Sequence, residues 1–258
     1  MGILKRILFI LTIYTIIIFI GGCSMSDQKS KEVQQGMTEY LNKKYGMEFE
    51  FVKEPYLTGN EGFGYKYQAK VIPAGKPELE FFVEQEDREH PYNFIDGYLQ
   101  VKWTYEGKQE IEKKIKEVYG AETDFVLKYT FRYNKEEFKD LNYKEVIDRC
   151  NGNLYIAINY FVFSDEKFDK YEEVEKAYKI LKPYLLDNKI DNYDFNVMFC
   201  TNKYRQEYAS NGDNSGKKSF DTLHEEGSLI NFLKVYNLKK THPIEVNSSS
   251  DLAKWFQY

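Results

Sequence analysis

Between residues 47 and 85 the chain alternates apolar and polar side chains with a period of two, three times in succession. Met47, Phe49 and Phe51 alternate with charges up to Glu54. Phe63, Tyr65, Tyr67, Ala69 and Val71 follow through Ile72, and Leu79, Phe81 and Val83 through Gln85. A period of two puts every second side chain on the same face of a strand. The connections Thr58-Gly59-Asn60-Glu61-Gly62 and Pro73-Ala74-Gly75-Lys76-Pro77 are built from turn formers. Together these dictate an antiparallel meander with one apolar face to cover. The preceding segment supplies a cover. From Ser30 to Tyr45, residues Val33, Met37, Tyr40, Leu41 and Tyr45 fall on one helical face, Lys43 and Lys44 occupy the last turn, and Gly46 closes it.

Beyond the meander, Tyr92 to Tyr119 fits two periods. Leu99, Val101, Trp103 and Tyr105 alternate like a strand, but Phe94/Ile95 and Ile111/Ile115 keep helical spacing, and the expectation is a long helix bent near Gly107. Thr123 to Tyr133 reads as a strand. Tyr143 to Cys150 reads as a short helix stopped by Asn151-Gly152, and Leu154 to Phe163, apolar on both faces, as a central covered strand. Asp165 to Leu186 is expected as a helix with Ser164 as N-cap and Pro183 ending or kinking it. Tyr193–Thr201 and Tyr204–Ala209 read as strands, Ser210–Ser219 as a loop, Glu226–Tyr236 as a helix, and Asp251–Gln257 as a final helix docking Leu252, Trp255 and Phe256. The expected fold class is α+β, antiparallel sheet with helices packed on one face, in subdomains 30–122 and 123–258 that could share one sheet. Lys43-Lys44-Tyr45-Gly46 is echoed by Lys116-Glu117-Val118-Tyr119-Gly120, for which a common way of stopping a helix is favoured over duplication of an α–β unit.

The N-terminus carries the address. Lys5 and Arg6 precede an apolar run from Ile7 to Ile20, shorter than the ~20 residues a spanning helix needs. A basic start, a short apolar core and small residues at the exit mark a secretory signal. The exit, Ile20-Gly21-Gly22-Cys23, resembles the lipobox of bacterial lipoproteins. That resemblance implies cleavage of residues 1–22, a diacylglyceryl group on the Cys23 thiol and an N-palmitoyl group on the new terminus. Residues 23–29 then form a lipidated tether. Two acyl chains hold a protein at a membrane where one does so only marginally. The chain resembles, more loosely, the uncharacterised small surface lipoproteins of Gram-positive bacteria, which place a helix ending in Tyr-Gly after the tether, as Tyr45-Gly46 does here.

Removing residues 1–22 takes away Lys5 and Arg6 and moves the net charge from −5 to −7. This acidic balance argues against nucleic acid and against electrostatic attachment to anionic lipid. The 23 Tyr and 19 Phe are consistent with a carbohydrate-binding surface, but coding bias plus half-buried sheet faces is the favoured explanation. Cys150 and Cys200 are an even pair for which a disulfide and two buried thiols both remain open.

No motif for catalysis survives inspection. His90, His224 and His242 are the whole histidine complement, and His224-Glu225-Glu226 lacks the second His of a zincin helix, so no metal site is expected. Asn211-Gly212-Asp213-Asn214-Ser215-Gly216 begins like a calcium loop but has Thr222 where a bidentate Glu is required. Ser215-Gly216-Lys217-Lys218 lacks its partner motifs. The acidic runs 84–89 and 165–175 could supply paired carboxylates but read by default as solvated faces. The expectation is a membrane-anchored, extracytoplasmic, non-enzymatic interaction or accessory module of the cell envelope without a cofactor, held at the cell membrane through Cys23 and meeting an envelope protein partner. The alternatives are a ligand-binding lipoprotein and an envelope hydrolase.

Overall fold

The computed structural model describes residues 28–60, 64–86, 93–150, 153–211, 220–239 and 241–257. The fold is α+β, with two four-stranded sheets. Two compact units divide between Tyr98 and Leu99, ahead of the long helix rather than after it at 122/123.

In the first unit, helix α1 over 28–45 precedes β1 (Phe49–Asn60), β2 (Gly64–Pro73), β3 (Phe81–Gln85) and β4 (Phe94–Asp96). The strands pair antiparallel in chain order. The alternation read from the sequence is the burial pattern over the second half of β2 and over β3, where Ala69, Val71, Phe81 and Val83 are buried, as are Phe94 and Val33, Met37 and Leu41 of α1, whereas Tyr65 is 40 % exposed. Gly46, at φ +66°, closes α1, its N–H bonding to Asn42 O at 2.8 Å. Residues 94–96 form β4, so the helix expected from Tyr92 starts only at Tyr98. Its start is fixed by Asp96, whose Oδ1 accepts the Tyr98 N–H at 3.0 Å. The same carboxylate accepts the Tyr40 and Tyr45 hydroxyls at 2.7 and 2.8 Å and the Lys44 ammonium at 2.8 Å. Its side chain is only 1 % exposed, so this cage ties α1 to the end of β4.

The second unit contains α2 (Tyr98–Tyr119), β5 (Asp124–Arg132), α3 (Tyr143–Arg149), β6 (Tyr155–Phe163), α4 (Lys170–Leu181), β7 (Asn192–Cys200), α5 (Asn202–Asn211), α6 (Phe220–Glu225), β8 (Leu229–Leu238) and a short α7 (Ser249–Leu252). Its sheet runs β5-β6-β7-β8, with β6 and β7 parallel and the outer pairs antiparallel. One face buries Leu127, Tyr129, Phe131, Ile156, Ile158, Tyr160, Phe195 and Val197. Helix α2 lies on it through Trp103, whose ring meets Phe131 at 5.9 Å and whose Nε1 donates to Leu141 O at 3.0 Å.

Helix α2 stays helical through Gly107. This glycine admits a neighbour: a Cβ there would fall 2.6 Å from Tyr129 Cε1. The helix expected from Asp165 begins at Lys170, with Asp169 as N-cap in place of Ser164 and its Oδ1 accepting Tyr171 and Glu172 N–H groups. Pro183 is accommodated in a π-helical turn, Lys182–Leu186.

Two expectations are overturned. Tyr204–Ala209 lies in helix α5, not a strand. Tyr204 and Tyr208, which alternate in sequence, are also four apart and so share a helical face, packing in a cluster with Phe163, Met198, Cys200, Leu223 and Phe232. Glu226–Tyr236 is not a helix; from Leu229 it is strand β8. Leu229, Phe232, Leu233 and Tyr236 satisfy helical spacing, but Leu229 and Phe232 face the α5/α6 cluster across a register shift while Leu233 and Val235 face the main core, so both faces are buried at the start of β8 and the alternation shows only from Leu233 to Asn237. The expected final helix is α7 followed by a 3₁₀ turn, Ala253–Trp255.

Candidate functional site

Parallel pairing sets Phe163 beside Cys200, so β6 and β7 end together, and antiparallel pairing sets the start of β5, Asp124, opposite the same Phe163. The segments 120–123, 164–169 and 201–202 therefore gather at one end of this sheet. A cleft of about 800 Å³ opens among them. Crevices beyond the carboxyl ends of parallel strands are where sheets of this kind hold ligands, because the strands end there and the loops diverge.

The walls are fixed by local hydrogen bonds. Asp165 accepts the Asn202 backbone N–H at 3.0 Å and its Nδ2 at 2.9 Å, and the Ser164 hydroxyl accepts Glu166 N–H at 3.0 Å. Phe168 stands edge-on to Phe199, ring centres 5.1 Å apart. Lys176 bridges Glu172 and Glu173 at 2.7 and 2.9 Å, its ammonium 5.2 Å from the Tyr119 ring centre.

Beneath the cleft, Tyr119 meets Tyr160 edge-on at 6.1 Å. The hydroxyls of both and Glu173 Oε2 are buried without a well-formed hydrogen bond, although the three lie close enough to act on one another's ionisation. Burial, reinforced by Tyr160 and Glu173, pushes the Tyr119 hydroxyl well above the ordinary phenol range, and burial does the same for Tyr160. Burial also raises the Glu173 carboxyl, against the opposing pull of Lys176. Burial would lower Lys176, but its bonds to Glu172 and Glu173 outweigh that and raise it. The phenols are thus neutral donors at physiological pH. Such a cleft can hold a ligand, but it presents no activated nucleophile paired with a base.

The residues singled out in the sequence fall in separate places. Cys23, the lipobox, the tether to residue 27, His90, residues 212–219 of the calcium-like loop and Ser215–Lys218 lie outside the described residues. His224 Nδ1 sits 3.0 Å from Leu229 O, and His242 packs near the Tyr236 ring. Of the acidic run 84–89, Glu84 accepts Gln68 Nε2 at 2.6 Å and pairs with Lys66, while buried Gln85 accepts the Tyr67 N–H at 3.0 Å. The run 165–175 is divided between capping and ion pairs. Cys150 and Cys200 are buried thiols not joined in a disulfide, Cys150 Sγ donating to Ile147 O at 3.2 Å. Among the described residues no group of three or more His, Cys, Asp or Glu side chains could hold a metal ion, and no helix is long and apolar enough to cross a membrane. The cleft escaped the sequence reading because it depends on β6 and β7 running parallel. The available signal was a doubly apolar strand, a helix and a second apolar strand in succession.

No family model and no curated protein matches the chain. Among solved structures, a DUF5037 family protein from Ruminococcus gnavus ATCC 29149 is similar at a TM-score of 0.46 and 17% identity, over 85% of this chain and 97% of that one.

Proposed function

We propose that this chain is an extracytoplasmic lipoprotein, anchored to the cell membrane through acylated Cys23 and serving as a non-enzymatic interaction or accessory module of the envelope. The observation that carries the proposal is the leader itself: Lys5-Arg6, an apolar run, and Ile20-Gly21-Gly22-Cys23. The first described helix begins at residue 28, leaving a polar segment of a few residues between Cys23 and the folded body. Two acyl chains at Cys23 would hold an acidic body at a surface that its own charge does not favour.

Metabolic labelling with a palmitate analogue tests this. The wild-type chain should take up label and partition with membranes, and Cys23→Ala should do neither. Label retained in Cys23→Ala would refute the anchor. In-cell crosslinking of the native protein beside the same variant then tests the envelope partner. A protein recovered only with the anchored form supports an interaction module, and specific recovery of nothing counts against it.

A second reading, ligand binding, is favoured by the cleft beyond β6 and β7. A ligand-dependent rise in melting temperature that is lost when Phe168 is replaced by Ala would support it.

A further inference from the structure

The face of the second sheet turned away from the main core is organised in rows. Strand register sets Lys128, Asn159, Asn196 and Lys234 side by side across all four strands. The next row is Thr130, Ala157, Asp194 and Tyr236, and the one beyond is Arg132, Tyr155, Asn192 and Leu238. Helices α5 and α6 cover the other end of this face, over Phe163, Met198 and Phe232, and Tyr208 of α5 reaches the first row, its ring centre 5.8 Å from the Lys128 ammonium. Lys128, Arg132 and Lys234 are exposed, Tyr236 is 37 % exposed, and Tyr155, Asn159, Asp194 and Asn196 are half-buried. With strands about 4.8 Å apart, the two lysine backbones of the first row stand about 14 Å from each other.

We propose that these rows form a binding face for an acidic oligosaccharide laid across the strands. Charge complementarity points to an anionic ligand: the three rows hold three cations and one carboxylate, on a chain whose net charge is −5. That carboxylate, Asp194, is engaged by the Tyr155 hydroxyl at 2.6 Å, and the Arg132 guanidinium lies 5.1 Å from the Tyr155 ring centre. The centre of the face supplies what sugar hydroxyls need. Asn196 Nδ2 donates to Asn159 Oδ1, and Asn196 Oδ1 is buried without any donor, an acceptor that rotation of the amide would offer to a hydroxyl. Tyr236 adds an aromatic surface against which the apolar face of a sugar ring can pack. The rows lack the apolar projections that would enter a bilayer, and their 14 Å width suits a short chain better than a single sugar. The lipid anchor plays no part in this argument, so the two proposals fail separately.

Calorimetric titration of the purified full-length chain with trigalacturonate tests the proposal, with neutral chitotriose and phosphatidylglycerol vesicles as comparison ligands. Trigalacturonate should bind in low salt, weaken at least tenfold in 0.5 M NaCl, and weaken at least tenfold in Lys128→Glu/Lys234→Glu. Tyr236→Ala should weaken it several-fold. A charge-matched control on the first unit, Lys43→Glu/Lys76→Glu, should leave binding unchanged. Four results overturn the proposal: no binding by the wild-type chain, equal loss in the control pair, binding only of chitotriose, or binding of the vesicles without trigalacturonate. Circular dichroism of each variant, all at exposed positions, separates loss of binding from loss of fold.

Discussion

Replacing Asp96 by Asn changes one atom in the least exposed carboxylate cage of the molecule. In the native protein Oδ2 accepts from the Tyr40 hydroxyl and the Lys44 ammonium, and Oδ1 from the Tyr45 hydroxyl and the Tyr98 N–H. An asparagine keeps one oxygen, sufficient for the Oδ1 donors, and turns an amide NH₂ toward the other two. Tyr40 already accepts the Lys44 ammonium at 2.8 Å and can take the amide as well, but Lys44, with only donors, loses its anionic partner. With Lys44 14 % exposed and Asp96 1 % exposed, water compensates poorly. Removing one partner of a buried pair costs about 3–5 kcal/mol, and because the carbonyl survives we expect the lower end, about 3 kcal/mol. For a unit of this size, about 4–8 °C is lost per kcal/mol, so its melting should fall by roughly 12–24 °C. Urea unfolding by circular dichroism measures the free energy, and hydrogen exchange of the β2 and β3 amides localises it to the first unit. Lys44→Met should cost less, since Asp96 then keeps three donors. Asp96→Asn/Lys44→Met should be more stable than the sum of the single changes, because it no longer sets an ammonium against an amide NH₂ in place of its carboxylate. A loss under about 1 kcal/mol for Asp96→Asn, or strict additivity in the double variant, would refute the reasoning.

Other consequences follow from single sites. Gly107→Ala gains about 1 kcal/mol in helix propensity, yet its methyl would sit 2.6 Å from the buried Tyr129 ring. We expect a net loss of about 1–2 kcal/mol in urea unfolding, relieved when Tyr129 is also changed to Leu. Cys200 is 1 % exposed and burial pushes its thiol up to about 12, so a thiol reagent at pH 8 should leave it unmodified until urea unfolds the chain. Asp251 closes the cap of α7, and its bonds from Lys254, Asn247 and Ser248 lower its carboxyl to about 2. A depressed folded value means stabilisation present above the ordinary carboxylate range and lost as pH falls from about 4 toward 2. An NMR titration of the Asp251 carboxyl should give a midpoint near 2, and a midpoint near 4 would contradict the cap.

What could be read from the chain alone was local. The meander alternation, Gly46 and Gly120 as helix stops, the doubly apolar β6 and the α+β class are set by side-chain period and backbone freedom within a few residues. Gly46 and Gly120 both adopt positive φ and donate their N–H groups to the last-turn carbonyls of Asn42 and Lys116, and so behave as read. The leader was legible for the same reason, since charge, apolar length and the small residues before Cys23 are written consecutively. Where two periods fitted one segment, the outcome lay elsewhere in the fold. Tyr204 and Tyr208 could have faced one side of a strand, but the cluster around Phe163 and Met198 receives them from a helix. Leu229–Leu238 carried helical spacing because the first residues of β8 are buried on both faces, one against the main core and one against α5 and α6, before Lys234 and Tyr236 emerge. The cleft beyond β6 and β7 and the rows from Lys128 to Lys234 are set by strand direction and register. Both join residues about a hundred positions apart or fewer, through backbone pairing that no single segment encodes. Side-chain period fixed each element's faces, and only the packing of those faces against one another decided which residues would meet.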